Sequence, residues 1–201
     1  ANGTGTIRIL SEGYDKIEVE IAKASSVEKK SGTKALIAGM VEAIGKFGYK
    51  VEGFDAYMTT EVIAAAGVSS SASFEMMFCA IVNSLFNDNQ IGIGDCARIG
   101  QYAENNFWMK SSGLMDQMAC AAGGAILLDF ANDIKYEKIE ASFDKLGYDM
   151  VIVNTGKGHG DLSDEYSAVP REMFDVAKAL GVKRLCESSL DTFLKELPRI
   201  E

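Results

Sequence analysis

The spacing of apolar residues changes period several times along this chain, and each change marks a predicted element. Ile7 and Ile9, then Ile17, Val19 and Ile21, alternate with polar neighbours around the turn-forming Ser11-Glu12-Gly13, which predicts a β-hairpin. From Thr33 to Phe47, Leu36, Ile37, Met40, Val41 and Ile44 follow a helical period, and Gly48 stands where such a helix stops. Residues 53–63 read as a further strand. Phe74, Met77, Phe78, Ile81, Val82 and Leu85 return to three- and four-residue spacing, so a buried helix is expected to begin within one residue of Ser71. A helical pattern runs from about Asp95 to Phe107, and a short helix opens near Asp116. Strands are expected near 124–130 and 149–155. Pro170 reads as the first turn of a helix that runs to Leu180 and ends at Gly181. The polar stretch from Gly156 to Ser163 is expected to be a mobile loop. Hairpins with grouped helices fit α+β layers better than strict βαβ alternation.

One junction in this pattern carries candidate chemistry. Gly67-Val68-Ser69-Ser70-Ser71-Ala72 joins a small-residue loop to the start of the buried helix. The first amides of a helix lack intrahelical acceptors, and the aligned peptide dipoles leave partial positive charge there, so the junction suits a phosphate. The ordinary alternative is that the serines are only caps. No Lys follows the run, which excludes a Walker loop.

Composition narrows the setting. With 201 residues and 47% apolar content the chain can bury a substantial core. Its four cysteines, Cys79, Cys96, Cys120 and Cys186, form no C-x-x-C pair, so neither a zinc site nor a disulfide framework is suggested and a cytoplasmic location is expected. A net charge of −9 disfavours general attraction to nucleic acid. No apolar run approaches the roughly 20 residues that cross a bilayer, so no membrane partner is expected.

Two carboxylates become candidates beside the serine loop. Glu104, within Gln101-Tyr102-Ala103-Glu104-Asn105, could give a hard oxygen to Mg²⁺, or could simply lie on a solvated helix face. Asp116, within Gly113-Leu114-Met115-Asp116-Gln117-Met118-Ala119, could accept the proton of an attacking hydroxyl or orient it, or could only favour a helix N-terminus.

With Ser73-Phe74-Glu75 continuing the serine run, and with Ser11 to Tyr14, Gly53 to Tyr57, Asp161 to Tyr166 and Pro170-Arg171-Glu172-Met173, these segments stand in an order that resembles the galactokinase family of the GHMP small-molecule kinase superfamily. The resemblance spans about Ser11 to Leu180. It implies the ribosomal-protein-S5-domain-2-like α+β fold of the GHMP kinase amino-terminal domain, present here incompletely. It further implies ATP-dependent, Mg²⁺-assisted phosphorylation of galactose at its anomeric hydroxyl. By resemblance Gly67, Val68, Ser69, Ser70 and Ser71 match the loop that binds the ATP phosphates, and Ser71 and Glu104 match the metal-binding groups. Asp116 matches the catalytic aspartate, and Gly113, Asp116 and Tyr166 match sugar-binding positions.

The chain also departs from the family pattern. Ile63 and Ala65 stand where the family's phosphate loop usually carries proline and glycine, and a methyl at Ala65 could crowd the phosphates. The family's amino-terminal sugar signature and its carboxyl-terminal domain have no counterpart in these 201 residues. The expected division is therefore a partial amino-terminal, ATP-binding domain over 1–160 and a helical segment over 161–201 leading toward the absent domain. Little or no turnover by this piece alone is expected, and surface left uncovered could drive self-association. His159, the only histidine, reads as an exposed loop residue. The alternative functions are a non-catalytic galactose- and ATP-sensing regulator, or a kinase for a related sugar such as N-acetylgalactosamine.

Overall fold

The computed structural model describes the chain except residues 31, 64–66, 132–133, 154–162 and 201, and the side chains of residues 163, 164 and 166. Strands β1 (Thr6–Ser11) and β2 (Ile17–Glu20) form the expected antiparallel hairpin, with Ile7 opposite Val19 and Ile9 opposite Ile17. All three of Ile7, Ile9 and Val19 are buried, as period-two alternation over one covered face requires. Ile21 falls just beyond, at the start of a 3-10 turn over Ile21–Ser26.

Helix α1 (Thr33–Lys46) crosses from β2 to β3 (Asp55–Met58), which pairs parallel with β1, giving the strand order β2-β1-β3. The strand expected over 53–63 is shorter than its apolar content suggested. Among the described residues its only sheet partner is β1, and pairing stops where Ser11 meets Met58 at the end of that strand. Helix α1 is buried along most of its length. A Cβ added at Gly39 would stand 2.8 Å from the Ala103 Cα, so glycine lets α1 and the helix that ends at Ala103 approach backbone to backbone.

Helix α2 (Ser70–Phe86) begins one residue before Ser71, within the expected margin, and buries Ala72, Met76, Phe78, Cys79 and Val82. The helical pattern over 95–107 resolves into α3 (Ile93–Ala103) followed by a single π turn over Glu104–Trp108. The short helix α4 (Met115–Ala122) leads into β4 (Ala125–Asp129), which pairs antiparallel with β5 (Lys135–Ile139) in a separate two-stranded sheet. Ala97, Leu114 and Met118 join β4 to the helices through Ile126 and Leu128. The whole is a mixed α+β arrangement, in agreement with the expected fold class.

Two elements differ from the sequence-based expectation. Residues 149–153 form no strand, and no described strand lies alongside to pair with them; residues 154 and 155 of that segment, and most of the expected loop from Gly156, lie outside the described residues. Helix α5 spans Ser163–Ala179, so Pro170 sits inside it and not in its first turn. Its start carries Glu165, a charge that complements the helix dipole at that end. Gly181 ends it as expected, at φ 72°, donating to the Lys178 carbonyl. Helix α6 (Leu190–Glu196) follows, opened by Ser189, whose hydroxyl accepts from the Thr192 amide at 3.2 Å. Among the described residues no helix is long and apolar enough to cross a membrane.

Candidate phosphoryl-transfer site

Glu75, Glu104 and Gln117 are the buried polar side chains of the described core, and they meet one another. The Gln117 amide Nε2 donates to Glu75 Oε2 at 3.1 Å and to Glu104 Oε2 at 3.2 Å, bridging α2, the π turn and α4. Burying two carboxylates side by side costs several kcal/mol unless one is neutralised or paired. The two groups divide along that line. Burial first, and then the charge of Glu104, push the Glu75 carboxyl up to about 9, so it stays protonated at neutral pH. Burial would raise Glu104 too, but the hydroxyls of Ser112 and Ser71 and the ammonium of Lys110 outweigh it and hold this carboxyl below its ordinary value. Gly100 makes room for the pair, since a Cβ there would lie 2.5 Å from Glu75 Oε2.

The ionised member opens toward the start of α2. Lys110 Nζ lies 3.1 Å from Glu104 Oε1 and 3.4 Å from Ser71 Oγ, so one cationic group sits against both oxygens. This arrangement tests whether the pair suits a divalent ion. A carboxylate and a hydroxyl are hard oxygen donors, and a positive group already rests between them, so the pair fits Mg²⁺. Among the described residues no group of three or more His, Cys, Asp or Glu is placed to hold a metal ion, here or elsewhere; Mg²⁺ needs only one or two protein oxygens when phosphates and water complete its shell.

The segment around Glu104 fixes the loop that follows it. Asn105 Oδ1 accepts from the Ser112 amide at 2.7 Å while its Nδ2 donates to the Ser112 carbonyl at 3.2 Å, and Gln101 Nε2 reaches the same carbonyl at 3.2 Å. Gln101 and Asn105 therefore hold the chain just before Gly113 and α4. Tyr102 faces the other way, donating its hydroxyl to Glu42 Oε1 at 2.7 Å on α1. Its part in the motif is to brace two helices.

At the serine loop, Gly67 has φ 74° and Ser69 adopts the left-handed φ 57°, a conformation that costs a non-glycine residue about 1 kcal/mol. No side-chain oxygen caps α2. Its first helical bond runs from the Ser73 amide to the Ser69 carbonyl, which leaves the amides of Ser70, Ser71 and Ala72 without intrahelical acceptors. The simple capping alternative is thus not what these serines do. Val68, Ser69, Ser70 and Ser71 are half-buried, and Gly67 is exposed.

Asp116 lies half-buried in the first turn of α4, one residue before Gln117, and makes no side-chain hydrogen bond or ion pair with Glu104, Glu75 or Ser71 among the described residues. Gly113 is exposed in the clamped loop. Tyr166 belongs to α5, whose next residue, Ser167, donates to Ser111 Oγ at 3.1 Å and ties that helix to the same loop. The Tyr166 side chain, Ala65 and His159 lie outside the described residues. Ile63 is exposed. Three participants escaped the sequence reading as individual residues: Glu75, Gln117 and Lys110. The first two fall inside motifs, and a charged or amide side chain on an otherwise apolar helix face was the available signal. An open hollow of about 540 Å³, lined by Leu10 to Asp15 and Tyr57, lies at the end of the three-stranded sheet and contains none of these groups.

Residues 35–124 match the family described as GHMP kinases N terminal domain. The galactokinase of Clostridium tetani is 35% identical over 174 residues, covering 83% of this chain and 43% of that protein. The galactokinase of Lactococcus lactis subsp. lactis is 33% identical over 197 residues, covering 93% of this chain and 48% of the relative. In three dimensions the chain is similar to the crystal structure of Lactococcus lactis galactokinase complexed with galactose, with a TM-score of 0.75 at 19% identity over 98% of this chain and 52% of the other. The chain spans about half the length of the curated relatives it matches.

Proposed function

We propose that this chain, whose residues 35–124 match the GHMP kinase amino-terminal domain, forms part of a galactokinase, which transfers the γ-phosphoryl group of ATP to the anomeric hydroxyl of galactose and yields galactose 1-phosphate and ADP. The single observation that carries the reading is the meeting of Ser71, at the uncapped start of α2, with the buried and ionised Glu104 around one positive charge.

Each residue has a task set by its chemistry. The amides from Gly67 to Ser71 receive phosphate oxygens at the positive end of α2. Ser71 Oγ and Glu104 hold Mg²⁺, which when bound with ATP offsets charge on the transferred group. Gln117 fixes Glu104 from behind through Oε2 and leaves Oε1 directed to the cation. Asp116 accepts the proton of the sugar hydroxyl, or orients that hydroxyl, as its oxygen attacks phosphorus. Gly113 and Tyr166 contact the sugar. Positioning and electrostatics are sufficient for such a reaction because little covalent assistance is required.

A coupled ADP-release assay on the whole gene product containing this chain tests the reading. Galactose-dependent release is expected, lost in Asp116→Ala and lowered at least about a hundredfold in Glu104→Gln. The 201 residues alone are expected to give little or none. Binding of both galactose and ATP by the whole product without ADP release would replace the kinase with a sensor. Release with N-acetylgalactosamine but not galactose would change the acceptor.

A further inference from the structure

Lys110 belongs to none of the motifs that carry the family resemblance, yet the chain places it with unusual care. The π turn closes with Met109 at φ 60°, and the Lys110 amide then donates to the Glu104 carbonyl at 3.0 Å. The same residue's ammonium reaches the Glu104 carboxylate at 3.1 Å and the Ser71 hydroxyl at 3.4 Å, and stands 5.5 Å from the Trp108 ring centre. Backbone and side chain both return to Glu104, so the position is set by the turn and not by a wandering surface lysine.

The charges explain why such a group is present. Glu104 is 1% exposed, and its one ion pair among the described residues is with Lys110. A buried carboxylate without a counter-charge is strongly disfavoured. A divalent cation that used Glu104 Oε1 and Ser71 Oγ would take the two oxygens that the ammonium now holds. Two cations cannot share that seat. Lys110 is about half exposed on a flexible four-carbon stem, so it can withdraw into solvent without opening the core.

We propose that Lys110 is a positioning residue that occupies the metal seat between Ser71 and Glu104, keeps both oxygens aimed at it, and is displaced when the divalent ion binds. The proposal rests on the reading that Ser71 and Glu104 hold that ion. Its consequence is a competition. Part of the binding free energy of the metal is spent on expelling the lysine, which sets metal affinity lower than the two oxygens alone would give.

Mn²⁺ serves as the probe, with binding to the 201-residue chain followed by calorimetric titration and by the loss of free-ion signal in electron paramagnetic resonance. Lys110→Met is expected to tighten Mn²⁺ binding about tenfold, because it removes both the competitor and a like charge a few ångströms from the ion in a partly solvated site. Lys110→Arg, which keeps the charge, is expected to stay within about threefold of the parent chain. Lys50→Met, which makes the same change in net charge on the loop after α1, is expected to leave the affinity unchanged. A purely structural lysine predicts the opposite sign, since Lys110→Met would then loosen the site and weaken binding. Unchanged or weaker Mn²⁺ binding in Lys110→Met, with binding still abolished by Glu104→Gln, would overturn the displacement and leave the metal reading standing. Absence of Mn²⁺ binding to the parent chain and to Lys110→Met alike would overturn both.

Discussion

Glu75 is a buried acid that works as a neutral group, and this has a measurable cost in pH. Its folded-state value of about 9 stands above the ordinary carboxyl value of 4.5, chiefly through burial. The folded chain therefore keeps a proton that the unfolded chain releases. Its stabilising effect is fully present below about pH 4.5 and is lost progressively as pH rises toward 9. Between pH 5.5 and 8 the parent chain should lose stability with a slope of up to about 1.4 kcal/mol per pH unit, and Glu75→Gln should flatten it. Melting temperatures across that window decide the matter, and an equal slope in both proteins would mean that Glu75 is ionised. Gly100 gives a second check at the same spot. Gly100→Ala places a methyl 2.5 Å from Glu75 Oε2 and 3.1 Å from the Gln117 Cγ, and should cost about 1–3 kcal/mol in urea unfolding. At this scale the sequence was legible where residue type alone names a chemistry. Glu104 and Asp116 were accessible as candidate acids, and the serines as a helix start. Lys110 was not, because nothing in its spacing tells that a π turn and a left-handed Met109 fold it back over Glu104.

The elements that carry the site are short and are held by a few polar clamps. Asn105 and Gln101 grip Ser112 from three directions, and that grip sets where Gly113 and the first turn of α4 begin. Asn105→Ala removes two of the three bonds. Hydrogen exchange should accelerate at the Ser112 amide and its neighbours while α1 stays protected, because α1 is anchored by the apolar core. Unchanged exchange there would show that Gln101 and Lys110 suffice to hold the loop. The same contrast between core and clamp explains which elements could be read from sequence. The β1–β2 hairpin, α1 and α2 bury one face or nearly all of their surface, so their apolar periods are strong. Strand β5 escaped because Lys135, Tyr136, Glu137, Lys138 and Ile139 are all exposed and show no buried alternation. Residues 149–153 misled in the opposite direction, since Val151, Ile152 and Val153 favour extended structure but have no described strand to pair with. In α5 the helix starts at the acidic turn before Pro170, which the proline's preference for a first turn obscures in the sequence.

At the scale of the whole molecule the surface is larger than its mass requires. A folded monomer of 21.7 kDa exposes roughly 9,200 Å² by the usual scaling. This chain exposes 13175 Å². Much of the second half contributes, because Phe143, Leu146, Tyr148 and the run Met150 to Val153 are large apolar side chains left in solvent. Val151 and Val153 are 77% and 78% exposed, and β5 presents every residue outward beside them in sequence. The α1-centred core does not depend on this region, so the chain can keep its folded centre while carrying an uncovered apolar strip. Water disfavours such a strip, and a second copy of the chain offers the same residues to cover it. Light scattering after gel filtration should therefore show a mass that rises with concentration. Val151→Asp with Val153→Asp should hold the chain at 21.7 kDa without changing its melting temperature, since neither side chain packs in the folded state. A parent chain that stays monomeric at every concentration would mean that the strip is tolerated bare. Association that survives both aspartates would move the contact elsewhere, with the exposed edge of the β4–β5 pair as the next surface to alter.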